Sequence, residues 1–260
     1  MKLLDRILIL LLNLCLLIAS IVGPALLLAR SPAYYHYEFR KTGIYATHAS
    51  DGTELRTRIP YVGGRRGQSA RFSDGQLDEI VDHIVTYLFE DGETFALSMD
   101  GVLLNGEVTD GVAIFGEAAV THMADVRDLM LLGRGAVILS LVAIPLLILY
   151  LILRRRQCGR AILRTTLLFY AVLALAALAF LLVTLATSDG DLAMTFWLNA
   201  HYLFFPFRPE KVAGSFFNDT LTYILTLELF LDAVAIVLAT AAVTLAAWIG
   251  LALGLRRAGD

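Results

Sequence analysis

Residues 117–153 read EAAVTHMADVRDLMLLGRGAVILSLVAIPLLILYLIL. The first half contains acidic, basic and histidine side chains, and the second half contains no charged residue. No residue from Gly135 to Leu153 is charged, and about 20 apolar helical residues are enough to cross the hydrocarbon core of a bilayer. Neither glycine nor proline interrupts residues 117–132, so one helix is predicted to run from Glu117 into the span. The stretch therefore predicts a membrane helix preceded by histidine, aspartate and arginine side chains.

Three further uncharged runs have the length of a membrane span: Ile7–Leu28, Thr165–Thr187 and Ala233–Leu255. The chain is 58% hydrophobic, above the roughly 45–50% of soluble domains. The first run exceeds the roughly 7–15 apolar residues of a signal peptide, so it is predicted to be a retained anchor. The predicted fold class is an α-helical polytopic membrane protein with four transmembrane helices.

The charges predict the orientation of these helices. The segments placed inside carry nine basic and two acidic residues, a balance of +7. The segments placed outside carry 12 basic and 22 acidic residues, a balance of −10, which together with +7 gives the net charge of −3. Because short basic loops stay cytoplasmic, both termini are predicted to be cytoplasmic and the two larger loops extracytoplasmic.

The first outside loop is predicted to be a mixed α+β domain. Residues 29–70 are predicted to be extended chain with turns. A helix capped by Ser73 should follow, because apolar residues from Leu77 to Leu88 recur at helical spacing. A hairpin is then predicted, with Asp100-Gly101 and Asn105-Gly106 as turn signals.

The second outside loop is smaller and aromatic. Its sequence LAMTFWLNAHYLFFPF, residues 192–207, is typical of an interfacial helix or re-entrant turn. Such a segment would bring His201 to the same membrane depth as His122. The helix that follows is predicted to begin before its uncharged part, which leaves Glu228 and Asp232 near the outer interface.

The predicted division of the chain lists five segments. They are the cytoplasmic N-terminus and helix 1 (1–28), the extracytoplasmic domain (29–134), helices 2 and 3 (135–187) with a cytoplasmic loop (154–164), the extracytoplasmic interfacial segment (188–219), and helix 4 with the cytoplasmic C-terminus (220–260).

Several kinds of chemistry are excluded by the sequence. The motifs HExxH, G-x-S-x-G and the P-loop do not occur, and the two cysteines, Cys15 and Cys158, cannot form a disulfide framework or a cysteine metal site. The basic cluster RRRQCGR is explained by topology, so no nucleic-acid partner is expected. The remaining candidates are histidines and carboxylates. His36 and His48 lie in a tyrosine-rich loop and lack a partner pattern, and His83, flanked by acids on a predicted helix, is interpreted as a surface residue.

His122 and His201 are the candidate catalytic residues, and four others are candidate supporting or substrate-binding residues. Each has a simpler interpretation. Either histidine could bond a backbone carbonyl and be structural. Asp125, three residues after His122, could orient that imidazole or be a solvated charge. Arg127 could bind a headgroup or snorkel. Glu117 could favour a helix N-terminus, and Glu228 could be hydrated or line a polar cavity.

The sequence THMADVRDL, residues 121–129, resembles the H-M-x-D-V-[KR]-x-L signature of the bacterial lipoprotein intramolecular transacylase (Lit) family. TYLFEDGETFAL (86–97), NAHYLFF (199–205) and NDTLTYILTLELFLD (218–232) resemble flanking blocks of that family. The layout of four helices with one large and one small outside loop also agrees.

The resemblance implies a reaction and a location. In that family the sn-2 acyl chain of a diacylglyceryl-cysteine moves to the cysteine α-amine, and the histidines that match His122 and His201 are catalytic. The implied partners are diacylated bacterial lipoproteins and membrane lipid, at the outer face of the bacterial cytoplasmic (inner) membrane. No cofactor or metal is expected, and the oligomeric state is not predicted. Two alternatives stay open, a non-enzymatic sensor or assembly protein and a metal site at His122, Asp125 and His201.

Overall fold

The computed structural model describes residues 3–45, 47–48, 54–55, 58–90, 94–153, 155–204 and 219–257. Its helices are α1 Leu3–Ala29, α2 Pro32–Thr42, α3 Asp74–Phe89, α4 Glu117–Leu153, α5 Arg155–Thr187, α6 Leu192–Phe204, α7 Thr220–Ile224 and α8 Leu227–Arg257. Its strands are β1 Thr47–His48, β2 Glu54–Leu55, β3 Arg58–Pro60, β4 Ser69–Arg71, β5 Ser98–Met99, β6 Val102–Leu104, β7 Glu107–Thr109 and β8 Val112–Ala113.

Four of the described helices, α1, α4, α5 and α8, are long and apolar enough to cross a membrane, which confirms the four predicted spans. Helix α4 runs without a break from Glu117 through Gly133 and Gly135, as predicted. The loop predicted for residues 154–164 is wrong in extent, because α5 already begins at Arg155. Arginine is a good helix former, so a helix can begin within this arginine-rich segment.

The chain divides into two compact units. The span unit comprises Met1–Leu26, Leu132–Phe196 and Ala233–Asp260, and the mixed unit comprises Leu27–Leu131 and Trp197–Asp232.

Polar groups tie the helices of the span unit together. The indole N–H of Trp248 on α8 lies 3.1 Å from both Asn13 Oδ1 on α1 and Thr166 Oγ1 on α5. The Asn13 amide nitrogen donates to the carbonyl of Ile9 at 2.8 Å. All three side chains are buried, so each polar group is satisfied by a neighbour rather than by water. Leu139 and Leu175, 70% and 66% exposed, are suited to contact with lipid.

Helix α2 corrects the prediction that residues 29–70 are extended chain. Ser31 caps it by accepting from the Tyr34 N–H, Pro32 occupies its first turn, and Gly43 ends it in the left-handed conformation at φ 72°. The apolar residues Tyr35 and Phe39 are buried one turn apart. The run of tyrosines concealed this spacing, because aromatic residues also favour strands.

Helix α3 forms where it was predicted. Ser73 and Gln76 make a complete capping box, in which the side-chain oxygen of each accepts from the backbone N–H of the other. Its buried face consists of Leu77, Ile80, Val81, Ile84, Tyr87 and Leu88. These side chains pack in one core with Phe39, Phe95 and Met123, so α2, α3 and the start of α4 share their apolar faces.

The strands of the mixed unit form three small antiparallel sheets, β1-β2, β3-β4-β6-β7 and β5-β8. The predicted turn at Asn105-Gly106 is confirmed and joins β6 to β7. Asp100-Gly101 is also a turn, but it joins β5 to β6, which belong to different sheets, so the predicted hairpin is wrong there. Asp100 Oδ1 accepts from the Gly111 N–H, and Asp110 Oδ1 accepts from the Gly101 N–H. These reciprocal hydrogen bonds join the turn between β5 and β6 to the turn between β7 and β8.

Candidate active site

His122 lies on the second turn of α4 and is 9% exposed. Its neighbours on the helix, Ala119 and Met123, belong to the apolar core of the mixed unit. The imidazole is thus carried by a helix whose first turns are anchored by packing. Its orientation is limited accordingly.

The start of α4 is held by a buried carboxylate. Asp219 is 1% exposed, and its Oδ2 accepts from the Gly116 N–H at 2.7 Å. Its Oδ1 accepts from the Leu221 N–H at 3.0 Å and caps α7. A Cβ on Gly116 would lie 2.8 Å from Asp219 Oδ2 and 3.0 Å from the Gly63 carbonyl, so only glycine fits. Burial raises the pKa of Asp219, and the two N–H donors oppose that rise.

His201 lies on α6 and is 8% exposed. Its Nδ1 lies 2.9 Å from the carbonyl oxygen of Trp197, one turn earlier. A carbonyl can only accept, so Nδ1 carries the hydrogen and Nε2 carries the lone pair of the neutral ring. Burial lowers the pKa of His201, and the bond to Trp197 opposes that shift. Burial therefore favours the neutral form of this imidazole.

The two histidines lie together in the mixed unit. Their ring centroids are 6.1 Å apart and their planes are inclined by 29°. The two rings are therefore close neighbours in the mixed unit.

An aromatic side chain that sequence reasoning missed supports His201. The Trp197 ring lies 4.2 Å from the His201 ring, nearly edge to face, and 4.2 Å from the ring of Phe230 on α8. The signal that could have revealed it is the spacing of four residues in WLNAH, which brings both side chains to one helix face. Trp197 thus supplies both the carbonyl and the apolar wall for His201.

The other predicted site residues lie in varied surroundings, and their roles stay predictions. Arg127 donates to the Glu90 carbonyl at 2.9 Å and lies over the Tyr87 ring at 5.0 Å, so it closes the C-terminal end of α3. Asp125 is half-buried one turn after His122. Glu117 and Glu228 are exposed on the first turns of α4 and α8.

A metal site at His122, Asp125 and His201 has no geometric support. Among the residues that the structure describes, no three histidine, cysteine or acidic side chains are grouped as metal ligands would be. The two described imidazoles elsewhere contact other groups. His83 Nε2 lies 3.0 Å from the Phe95 carbonyl, and His36 Nε2 lies 3.4 Å from Asp78 Oδ1. The side chain of His48 lies outside the described residues.

Comparison with known proteins assigns the family. The profile of the family described as lipoprotein intramolecular transacylase Lit matches residues 7–206, most of the chain. The chain belongs to this family. The resemblance predicted from THMADVRDL is thereby confirmed, and the family places the protein among membrane-integral acyl-transfer enzymes of lipoproteins.

A solved structure shows the same fold. The chain is similar to the membrane-integral lipoprotein intramolecular transacylase Lit from Bacillus cereus, with a TM-score of 0.52 and 15% identity over 98% of this chain and 96% of that one. No curated protein matches the chain. The Lit fold accounts for a mostly helical, multi-pass membrane protein with a small sheet region.

Proposed function

We propose that this Lit-family protein moves the sn-2 acyl chain of a diacylglyceryl-cysteine to the α-amine of the same cysteine, which yields an N-acylated lyso-lipoprotein. The observation that carries the proposal is the pair of buried imidazoles of His122 and His201, 6.1 Å apart. Family membership supports the reaction class. The substrates are diacylated bacterial lipoproteins held in membrane lipid.

We assign His201 as the base of the pair. The sequence suggested His122 as the base, steadied by Asp125, with exchange of the two roles left open. The contact with the Trp197 carbonyl favours the exchange, because it makes Nε2 of His201 the proton acceptor. An α-amine with a pKa of about 7.7–8.0 is largely protonated at neutral pH and must lose a proton before it can attack.

The proton balance of the transfer follows from these roles. The ammonium form of the cysteine nitrogen first loses its extra proton to solvent, and His201 Nε2 then takes the second proton as the neutral nitrogen forms its bond to the ester carbonyl carbon. The bond from that carbon to the glycerol oxygen then breaks, and His122 gives a proton to the leaving oxygen. The products are an amide and an alcohol within one molecule. Asp125 is assigned to orient His122.

An intramolecular transfer requires no protein nucleophile. Donor ester and acceptor amine belong to one substrate, and holding them in contact can contribute on the order of 7–11 kcal/mol to lowering the barrier. This agrees with the lack of a G-x-S-x-G motif and of a cysteine outside the span and arginine-rich segments. The buried site also limits water, which would hydrolyse the ester instead.

The membrane arrangement belongs to the same proposal. Both termini are assigned to the cytoplasm, and the mixed unit, which carries both histidines, is assigned to the outer face of the bacterial inner membrane. The excess of basic residues in the short connections supports this orientation.

The decisive experiment is acyl-chain location by tandem mass spectrometry. A diacylated lipoprotein is incubated with the full-length protein in detergent, and fragmentation is used because migration within one molecule leaves the total mass unchanged. We expect N-acyl fragments with the wild type and their loss in both His122→Ala and His201→Ala. His36→Gln, which alters a histidine beside Asp78, is the control and should keep the product.

Two outcomes would contradict the proposal. Product formation by both histidine variants would remove the pair from the chemistry. Absence of product with the folded wild type, together with unchanged lipoprotein in cells that express it, would favour the non-enzymatic sensor or assembly role.

A further inference from the structure

One face of α2 is attached to the first turns of α8. The Tyr34 hydroxyl donates a hydrogen bond to the carbonyl oxygen of Leu229 at 2.5 Å. Lys41, which lies two turns further along the same face of α2, forms an ion pair with Asp232. All four residues belong to the mixed unit. Two contacts therefore fix the first turns of α8 relative to α2.

Helix α2 is held in place from its other side. Tyr35 and Phe39 are buried in the core that α2 shares with α3. The Tyr35 hydroxyl donates to the carbonyl of Ala29, the last residue of α1, at 3.0 Å. Successive residues point about 100° apart around a helix, so Tyr34 and Tyr35 face different neighbours. Helix α2 can thus serve as a fixed support for α8.

The contact at Leu229 continues to the candidate base. The Leu229 carbonyl and the Phe230 nitrogen belong to one planar peptide group, so the bond from Tyr34 limits the rotation of the peptide that precedes Phe230. The Phe230 ring lies 4.2 Å from the ring of Trp197, which lies 4.2 Å from the ring of His201. An unbroken series of contacts therefore leads from the hydroxyl on α2 to the imidazole on α6.

We propose that Tyr34 is a positioning residue for His201. Its hydroxyl fixes the peptide group before Phe230, and Phe230 holds Trp197 against the imidazole. The assignment rests on the proposed function, in which His201 is the base, and it gives Tyr34 no part in the proton transfers.

The test compares Tyr34→Phe with Tyr35→Phe in the full-length protein. Each variant loses one hydroxyl from the same helix, but the hydroxyl of Tyr34 bonds to α8 and that of Tyr35 to the end of α1. We expect Tyr34→Phe to lower kcat about fivefold, roughly the factor that one hydrogen bond supplies, and to leave KM unchanged. Tyr35→Phe is the matched control and should keep both kinetic constants.

An NMR titration of His201 without substrate gives a second readout. Burial lowers the pKa of His201, and a loosened aromatic wall would admit water. Tyr34→Phe should therefore raise this pKa toward the usual histidine value and move the acid limb of the kcat profile upward with it. The ring of His122 faces His201 at 6.1 Å, so both imidazoles are followed in the same titration. Tyr35→Phe should leave the His201 titration unchanged.

Phe230→Leu interrupts the same series of contacts without altering α2. It should lower kcat and raise the pKa of His201, as Tyr34→Phe does. If Tyr34 acts through Phe230, adding Tyr34→Phe to Phe230→Leu should cause little further loss of kcat, because the effects of coupled residues do not add.

Several results would overturn the proposal. Equal losses of kcat in both tyrosine variants would mean that the hydroxyls stabilise α2 in general. A rise in KM with kcat kept would place Tyr34 in substrate binding instead. An unchanged His201 titration in Tyr34→Phe, or fully multiplied losses in the double variant, would remove the link through Phe230. A wild type that forms no N-acyl product would contradict the proposed function, whereas the titration would still decide how His201 is held.

Discussion

The imidazole Nδ1 of His201 donates a hydrogen bond to the carbonyl oxygen of Trp197, 2.9 Å away and one helical turn earlier. Because the acceptor is a backbone atom, the orientation of the ring and its tautomer follow from the helix itself rather than from a replaceable side chain. The same turn places the Trp197 indole against the ring. These two contacts fix the position of the imidazole on α6.

The lowered pKa of His201 predicts the acid limb of the pH profile. Burial is its largest cause, and the neutral ring is the active base. On its acid side, activity should therefore fall as the pH drops through a value below the usual histidine pKa of about 6.5. The measurement is the pH dependence of kcat, with an NMR titration of His201 as a direct check. An acid limb of the kcat profile with an apparent pKa at or above the usual histidine pKa would contradict the assignment of His201 as the base.

Replacement of Trp197 should separate ring packing from hydrogen bonding. Trp197→Ala keeps the backbone carbonyl but removes the wall shared with Phe230, so we expect kcat to fall by about tenfold or more as His201 loses its fixed position. Trp197→Phe restores a ring and should recover much of the rate. Equal rates for the alanine and phenylalanine variants would show that the indole does not position the histidine.

Loss of the Asp219 carboxylate should loosen the start of α4. Asp219→Ala leaves the N–H groups of Gly116 and Leu221 buried without an acceptor, and we expect the free energy of unfolding to fall by about 2 kcal/mol or more. Gly116→Ala should act similarly, because its Cβ would clash with the same carboxylate. Chemical denaturation in detergent measures both. Wild-type stability in both variants would contradict this function of Asp219.

Arg127 distinguishes a structural from a substrate-binding role. Its contacts with the Glu90 carbonyl and the Tyr87 ring predict that Arg127→Ala lowers stability by about 1 kcal/mol. KM should stay near the wild-type value once the assay temperature is well below the unfolding midpoint. A large rise in KM without a loss of stability would instead support direct contact with the substrate or its lipid.

The buried hydrogen bonds of Trp248 to Asn13 and Thr166 predict that a change in the span unit alters stability without touching the histidine pair. Trp248→Phe keeps most of the ring volume but removes the donor to Asn13 and Thr166, so we expect a loss of about 1–2 kcal/mol. Thermal unfolding measures this loss, and it is monitored by light scattering because the variant lacks one of the tryptophans that fluorescence would report. The matched change Trp197→Phe keeps the span unit intact and should leave that transition nearly unchanged.

The four spans follow from the sequence alone, because an uncharged run of about 20 residues in lipid can satisfy its backbone only as a helix. The capping box at Ser73 and the turn at Asn105-Gly106 were equally readable, since both depend on residues close together in the chain. Helix α2 was missed because the burial of Tyr35 and Phe39 depends on partners from distant segments. The sequence also singled out His122 and His201 through the family signature.

Only the tertiary structure decided how these residues are used. It brought the two imidazoles within 6.1 Å, gave His201 its hydrogen at Nδ1, and placed Asp219 at the start of the helix that carries His122. The physical reason is that hydrogen bonds and burial act between atoms in space, whatever their distance along the chain. A periodic pattern reports the face that a helix buries, but the partner that meets this face is chosen by the packing of the whole unit.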